Sequence, residues 1–226
     1  MRIIDISPAV DAGSPVWPGD VSFGIEPNWS IDAGDSVTVG TLRTTAHIGA
    51  HIDAPSHVIA GAPSADAIPL EACIGACLVF DVSDLVEGGK SPRGQAPADA
   101  VRERIARLAG GARVERLLLR HFAPGAHSVQ DWDQDIPGVD PELMRWFGEQ
   151  GGRLVGLDLA SFDPVVCPEL PAHRAGLDRG VVLLEGLDLS NAPEGEAELI
   201  ALPLPWRGAD ASPVRAVLRV PESGAS

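Results

Sequence analysis

With 226 residues and 45% hydrophobic content, the chain can bury one substantial core, so a single domain over residues 1–226 is expected. A formal charge of −15 argues against nucleic acid or an anionic membrane surface as partner, and three cysteines without a Cys-x-x-Cys pair make no disulfide framework. The opening Met-Arg-Ile-Ile-Asp-Ile-Ser is too short and too charged for a signal peptide, and no apolar run approaches the ~20 residues of a membrane span, so a cytoplasmic protein is expected.

Residues 2–7 alternate well enough for a strand ending at Pro8. Residues 11–20 are turn-rich and hold Trp17 between Pro15 and Pro18; on spacing alone this Trp reads as a core plug. Val37, Val39 and Leu42 suggest another strand. The next stretch, His47-Ile-Gly-Ala-His51-Ile-Asp53-Ala-Pro-Ser-His57, concentrates three histidines and a carboxylate, out of 6 histidines in the chain. Nitrogen and oxygen donors at this density suit a divalent metal of the zinc or manganese class. In a straight strand His47 and His51 would stand roughly 13 Å apart, at about 3.3 Å per residue, too far to share an ion. A turn through Gly49 brings residues four apart to within roughly 6 Å, and His51 and Asp53 face the same way from an extended run. A turn at Gly49 leading into a short strand therefore converges His47, His51 and Asp53. Pro55 then ends regular structure and leaves His57 at the rim, free for proton transfer. The competing reading, a solvated helix face, fits poorly with Gly, Ala and Pro between the donors.

Residues 58–71 read as loop, 76–83 as a short buried strand, and 84–97 as a surface excursion rich in Gly, Pro and Ser. Val101, Ile105, Leu108 and Ala109 recur at helical spacing, which predicts a helix over 98–109 ended by Gly110-Gly111. Residues 114–119 form the next strand. Residues 121–139 read as a long loop whose His121 and His127, near Trp132, line a pocket or face solvent. Asp140-Pro141 is an N-cap followed by proline at the first helical position, predicting a helix to about Gln150 that Gly151-Gly152 stops. Residues 154–159 are a strand. Residues 181–189 are apolar on both parities, so both faces are expected to be buried. Glu185 within that run is costly unless paired or metal-bound, which makes it a ligand candidate; the alternative is a strand that ends early with Glu185 in solvent. On spacing alone His173 is a lone histidine on a loop. Strands alternating with helices point to an α/β domain, and the strands outside that alternation argue against a simple doubly wound sheet, leaving a mixed β-sheet core with flanking helices.

The 47–57 stretch resembles the His-x-Gly-Thr/Ala-His-x-Asp-x-Pro-x-His signature of the cyclase superfamily of metal-dependent hydrolases, and Ala50 is similar to its kynurenine formamidase (arylformamidase) branch. The similarity continues through Val16-Trp-Pro-Gly-Asp20, His173-Arg174, Leu184-Glu-Gly186, 198–205 and 210–219. Departures are Asp158-Leu-Ala-Ser-Phe-Asp163, where members tend to have Asp-Thr-Pro-Ser-x-Asp, a longer 84–113 stretch, and His121 in place of a common Thr. The resemblance implies a homodimer that hydrolyses an aryl formamide, N-formyl-L-kynurenine, to L-kynurenine and formate in tryptophan breakdown. It implies two zinc ions per subunit, with manganese as the alternative. His47, His51, Asp53 and Glu185 would hold one ion; Asp53, His173 and Glu185 would hold the other. His57 would protonate the departing aniline nitrogen, and Trp17 would stack on the aryl ring, which reverses the plug reading. The rivals are an isatin or carbamate hydrolase on the same ligands, and a metal-binding protein without turnover, against which the uncommitted His57 counts.

Overall fold

The apolar runs before and after residue 150 become strands buried on both faces, and the sheet they form carries the site. The computed structural model describes residues 1–86, 94–122 and 136–221; His127 and Trp132 lie outside the described residues. In chain order the strands are β1 (Arg2–Asp5), β2 (Gly24–Trp29), β3 (Val39–Arg43), β4 (His51–Asp53), β5 (Ile74–Asp81), β6 (Arg116–Arg120), β7 (Leu154–Leu157), β8 (Val182–Glu185), β9 (Gly195–Ile200), β10 (Ala211–Pro213) and β11 (Val217–Val220). The helices are α1 (Leu70–Cys73), α2 (Ala98–Ala109), α3 (Pro141–Glu149) and α4 (Pro171–Leu177).

A 9-stranded mixed sheet runs in the order β1-β11-β9-β5-β6-β7-β8-β4-β10. Its centre, β5 to β8, is parallel, while β4 and β9 join it antiparallel. Alternate residues serve two cores. Leu117, Leu119, Val155, Leu157 and Leu183 pack under α2, α3 and α4, against residues such as Val101, Leu143, Phe147 and Ala172. Val79, Leu118, Leu154 and Leu184 face the other side, where Ile52 of β4 and Leu199, Leu218 and Val220 of the opposite wing meet them. The sheet thus curls around its second core. Each fully buried Leu contributes roughly 1.5–3 kcal/mol, and the double coverage explains why β6 to β8 read as nearly unbroken apolar runs.

The expected helix over 98–109 is α2, closed by Gly110 in the left-handed region at φ 57. In α3, the Asp140 side chain accepts the Glu142 N–H at 2.9 Å, the N-cap anticipated from Asp140-Pro141. The strand expected around Val39 is β3, and it pairs in a separate hairpin with β2, a strand hidden in the sequence because Pro27 interrupts it and Ile25 and Trp29 point to solvent. Two expectations are corrected. The 58–71 loop ends in α1. His173 sits in the first turn of α4, not on a loop. Among the described residues no helix is long and apolar enough to cross a membrane.

Candidate metal centre and active site

The site lies where β8 ends beside β4, outside the carboxyl end of the parallel strands, the usual place for a ligand in such sheets. In the β4–β8 pairing His51 is the partner of Glu185, so their side chains are direct cross-strand neighbours. Asp53 follows on the same face of β4. The turn anticipated at Gly49 is present: φ is +58°, and a Cβ there would stand 2.7 Å from Val10 Cγ2. The Gly49 carbonyl accepts a hydrogen bond from His51 Nδ1 at 2.9 Å, which leaves Nε2 for the centre. Gly186, at φ +67°, ends β8 against that turn; a Cβ would be 2.2 Å from the Gly49 oxygen, so only glycine fits.

The two carboxylates divide their oxygens between two groups of histidines. Asp53 Oδ1 is 3.1 Å from His47 Nδ1 and 3.5 Å from His51 Nε2, while Asp53 Oδ2 is 3.4 Å from His173 Nε2. Glu185 Oε2 is 3.3 Å from His51 Nε2, and Oε1 is 3.1 Å from His173 Nε2. The Phe162 N–H donates to Glu185 Oε1 at 2.8 Å. His51 Nε2 and both Asp53 oxygens are buried without a hydrogen-bond partner. Buried polar atoms left in this way are costly, and these converge: ligand atoms of His51, Asp53 and Glu185 lie within 4.8 Å of one another. Imidazole nitrogens and carboxylate oxygens aimed at a common point are the donor set of a divalent metal. The residues present fit one.

Electrostatics agree. Burial opposes charge on His47, yet the neighbouring Asp53 and Asp210 carboxylates outweigh it and lift the ring to about 9. Burial likewise works against charged His51 and His173, and the carboxylates around them raise both. Asp53 is held well below the ordinary carboxylate range, against its burial, by His173 and His47. His57 goes the other way, its ring pushed down chiefly by burial.

Every site residue expected from sequence surrounds this point. His57 ends a 3₁₀ turn, Pro55–His57, after β4; its ring lies 4.3 Å from that of His47 and 6.0 Å from that of His173. Its side chain is 29% exposed, against 3% for His51 and His173. A group of His47, Asp53 and His57 atoms also lies within ligand reach, so position alone leaves His57 open to either role. Trp17 lines the same cavity of about 620 Å³, with Val165, Pro168 and Leu170 as further apolar walls. Two site carboxylates escaped the sequence reading. Asp210 Oδ2 stands 3.3 Å from His47 Nε2 and 3.8 Å from His57 Nδ1; only the 210–219 similarity pointed to its neighbourhood. Asp163 lies 2.7 Å from His173 Nδ1. His121 neither faces solvent nor belongs to the residues lining this cavity. It is buried, with Nδ1 3.3 Å from Asp158 Oδ1, and Asp158 also accepts its backbone N–H at 2.8 Å.

Comparison with known proteins agrees with this geometry. Residues 4–164 match the family model described as putative cyclase. The chain is 40% identical over 223 residues to a kynurenine formamidase of Salinibacter ruber, covering 97% of this chain and 98% of that one. It is 39% identical over 219 residues to a kynurenine formamidase of Bordetella petrii, covering 96% and 98%. Among solved structures, an isatin hydrolase bound to the product analogue thioisatinate superposes with a TM-score of 0.77 at 20% identity, covering 98% of this chain and 93% of that one, a likeness of fold. With a family model matched over most of its length and relatives near 40% identity end to end, the chain belongs to the cyclase family.

Proposed function

We propose that the protein hydrolyses N-formyl-L-kynurenine to L-kynurenine and formate, using two zinc ions per subunit. The end-to-end likeness to kynurenine formamidases supports the substrate. The observation that carries the two-ion reading is the division of both carboxylates, one oxygen of Asp53 and of Glu185 towards His51 and the other towards His173. His47, His51, Asp53 and Glu185 would hold one ion; Asp53, His173 and Glu185 would hold the other. Manganese accepts the same donors. Ions held there supply an acidic water and positive charge beside the formyl carbonyl.

The chain's own residues do the rest. Water adds to the formyl carbon, the C–N bond breaks, and His57 passes a proton to the aniline nitrogen as it leaves. Trp17 offers its indole face to the aryl ring. Val165, Pro168 and Leu170 keep the cavity wall apolar, which strengthens the charges acting inside it. The deciding experiment assays purified protein on N-formylkynurenine and on isatin with metal analysis alongside. Turnover of the first and close to two ions per chain support the reading; turnover of isatin alone overturns the substrate.

The role of Trp17 has its own test. Trp17→Ala is expected to lower kcat/KM for aryl formamides by about 5-fold, near 1 kcal/mol of ring contact, and to leave a small aliphatic formamide unaffected. Equal losses on both, with a lowered melting temperature, would return Trp17 to the role of core plug.

The same reading makes the subunit a one-domain cytoplasmic homodimer. Support for the dimer comes from the β2–β3 hairpin, whose Ile25, Trp29 and Leu42 are all more than half exposed, at 65%, 54% and 55%. Ile25 and Leu42 are cross-strand partners on one face of the ribbon, and an apolar pair presented in this way is best covered by a second copy of the chain. Light scattering on the eluted protein is expected to give the mass of two chains, and Ile25→Lys with Leu42→Lys to give one. A monomeric wild-type protein would remove the dimer.

A further inference from the structure

We propose that Asp163 is the positioning residue of His173, and that the turn Ser161-Phe162-Asp163 governs the half of the centre that His173 occupies; this rests on the metal-centre reading above. Asp163 is fully buried and lies outside the grouped ligand candidates His47, His51, Asp53, His57 and Glu185. Its Oδ1 accepts the Ala172 N–H at 3.0 Å, and its Oδ2 accepts the His173 N–H at 3.0 Å. The same Oδ2 stands 2.7 Å from His173 Nδ1. Both Asp163 oxygens already act as acceptors for backbone N–H groups, so at this distance Nδ1 carries the proton and donates it. The tautomer is thereby fixed, and Nε2 is the nitrogen turned to Asp53 Oδ2 and Glu185 Oε1, at 3.4 and 3.1 Å.

One carboxylate therefore does two jobs. It pins the first turn of α4, which starts from Leu170 in the left-handed region at φ 49°, a conformation a leucine rarely adopts. It also sets the rotation of the imaginary line from His173 Nδ1 to Nε2 that aims the ring at the carboxylate pair. The neighbouring residue completes the cradle: the Phe162 ring packs edge-on to His173 at 5.7 Å, while its backbone N–H holds Glu185 Oε1. His51 is oriented differently, by the neutral Gly49 carbonyl. The two histidines thus differ in what stands behind them. A carboxylate behind an imidazole raises its basicity as a ligand more than a carbonyl does, and loss of such a partner commonly costs about 10–100-fold in metal affinity.

Asp163→Asn tests this because it keeps one oxygen for the backbone N–H groups while placing an amide N–H against Nδ1. The imidazole is then driven to carry its proton on Nε2, pointing it into the centre. Zinc titration against a chromophoric chelator is expected to show one ion weakened about 10–100-fold and the other, on the His47 and His51 side, changed only a few-fold. The visible spectrum of the cobalt-loaded variant should lose the contribution of one ion. Equal weakening of both ions, or of neither, overturns the proposal; a lower melting temperature with both ions retained would mark Asp163 as a helix anchor alone. Should the variant fail to fold, nitrogen-15 NMR of the zinc-loaded wild-type protein decides. A proton on His173 Nδ1 and none on Nε2 supports the proposal, and the reverse tautomer overturns it. A wild-type protein inert towards formylkynurenine, with selective ion loss in the variant, would sink the substrate and leave this inference standing.

Discussion

Asp53→Ala is expected to lose both ions and, with them, at least about 10³-fold in turnover, since the charge a metal brings to the transition state is worth several kcal/mol. The reason is the position of Asp53 between the two groups of histidines. Its Oδ1 faces His47 and His51, its Oδ2 faces His173, and its side chain is wholly buried. Glu185 divides its oxygens between the histidines in the same sense, but it also accepts the Phe162 N–H, whereas neither Asp53 oxygen has a hydrogen-bond partner. Asp53 therefore has the most unsatisfied capacity to give to cations. Asp53→Asn keeps the shape of the side chain and removes the charge, which separates metal loss from a packing defect. Atomic absorption on both variants is the measurement. Zinc near two per chain in either one would end the shared-carboxylate model.

The legibility of this centre in the sequence follows from how local each piece of it is. His47, His51 and Asp53 converge through one glycine turn and one short strand, geometry that depends on neighbouring residues only. Glu185 was legible for a different reason: in a strand with both faces buried, a carboxylate needs an explanation. His173 lacked both signals. Its helix is 7 residues long, too short to display a periodic apolar face, and the side chain that caps it, Asp163, comes from outside the helix. The left-handed residue that starts it is a leucine, so no glycine marks the turn. Asp210 meets His47 across a separation of 163 residues, which no local pattern encodes. The sheet shows the same division. β6 to β8 announced themselves by burial on both faces, while β2 and β3 expose apolar residues and include Pro27, so alternation failed as a guide there. In β9 the signal was present in Glu196-Ala197-Glu198-Leu199, where Ala197 and Leu199 turn inward and the glutamates lie between them.

His57→Ala is expected to retain its metal and to lose roughly 10²–10⁴-fold in turnover, the range of a general acid–base group. The turn Pro55–His57 places this ring over the cluster without burying it inside. β10 starts at Ala211, paired with Asp53, and the Asp210 carbonyl accepts the Ala54 N–H at 2.9 Å, so Asp210 lies beside the turn that carries His57. Its carboxylate stands 3.8 Å from His57 Nδ1, beyond hydrogen-bond length. The ligand candidates are wedged between carboxylates that raise their affinity for a positive charge. His57 is instead lowered, first by burial and also by the neighbouring His47 and His173 rings. A ring disfavoured as a cation releases its proton readily, which is what protonation of a departing nitrogen requires. Steady-state kinetics with zinc analysis on the variant separates the two roles that its position admits. Full zinc content with slow turnover assigns His57 to proton transfer; zinc lost in step with activity makes it a ligand alongside His47 and Asp53.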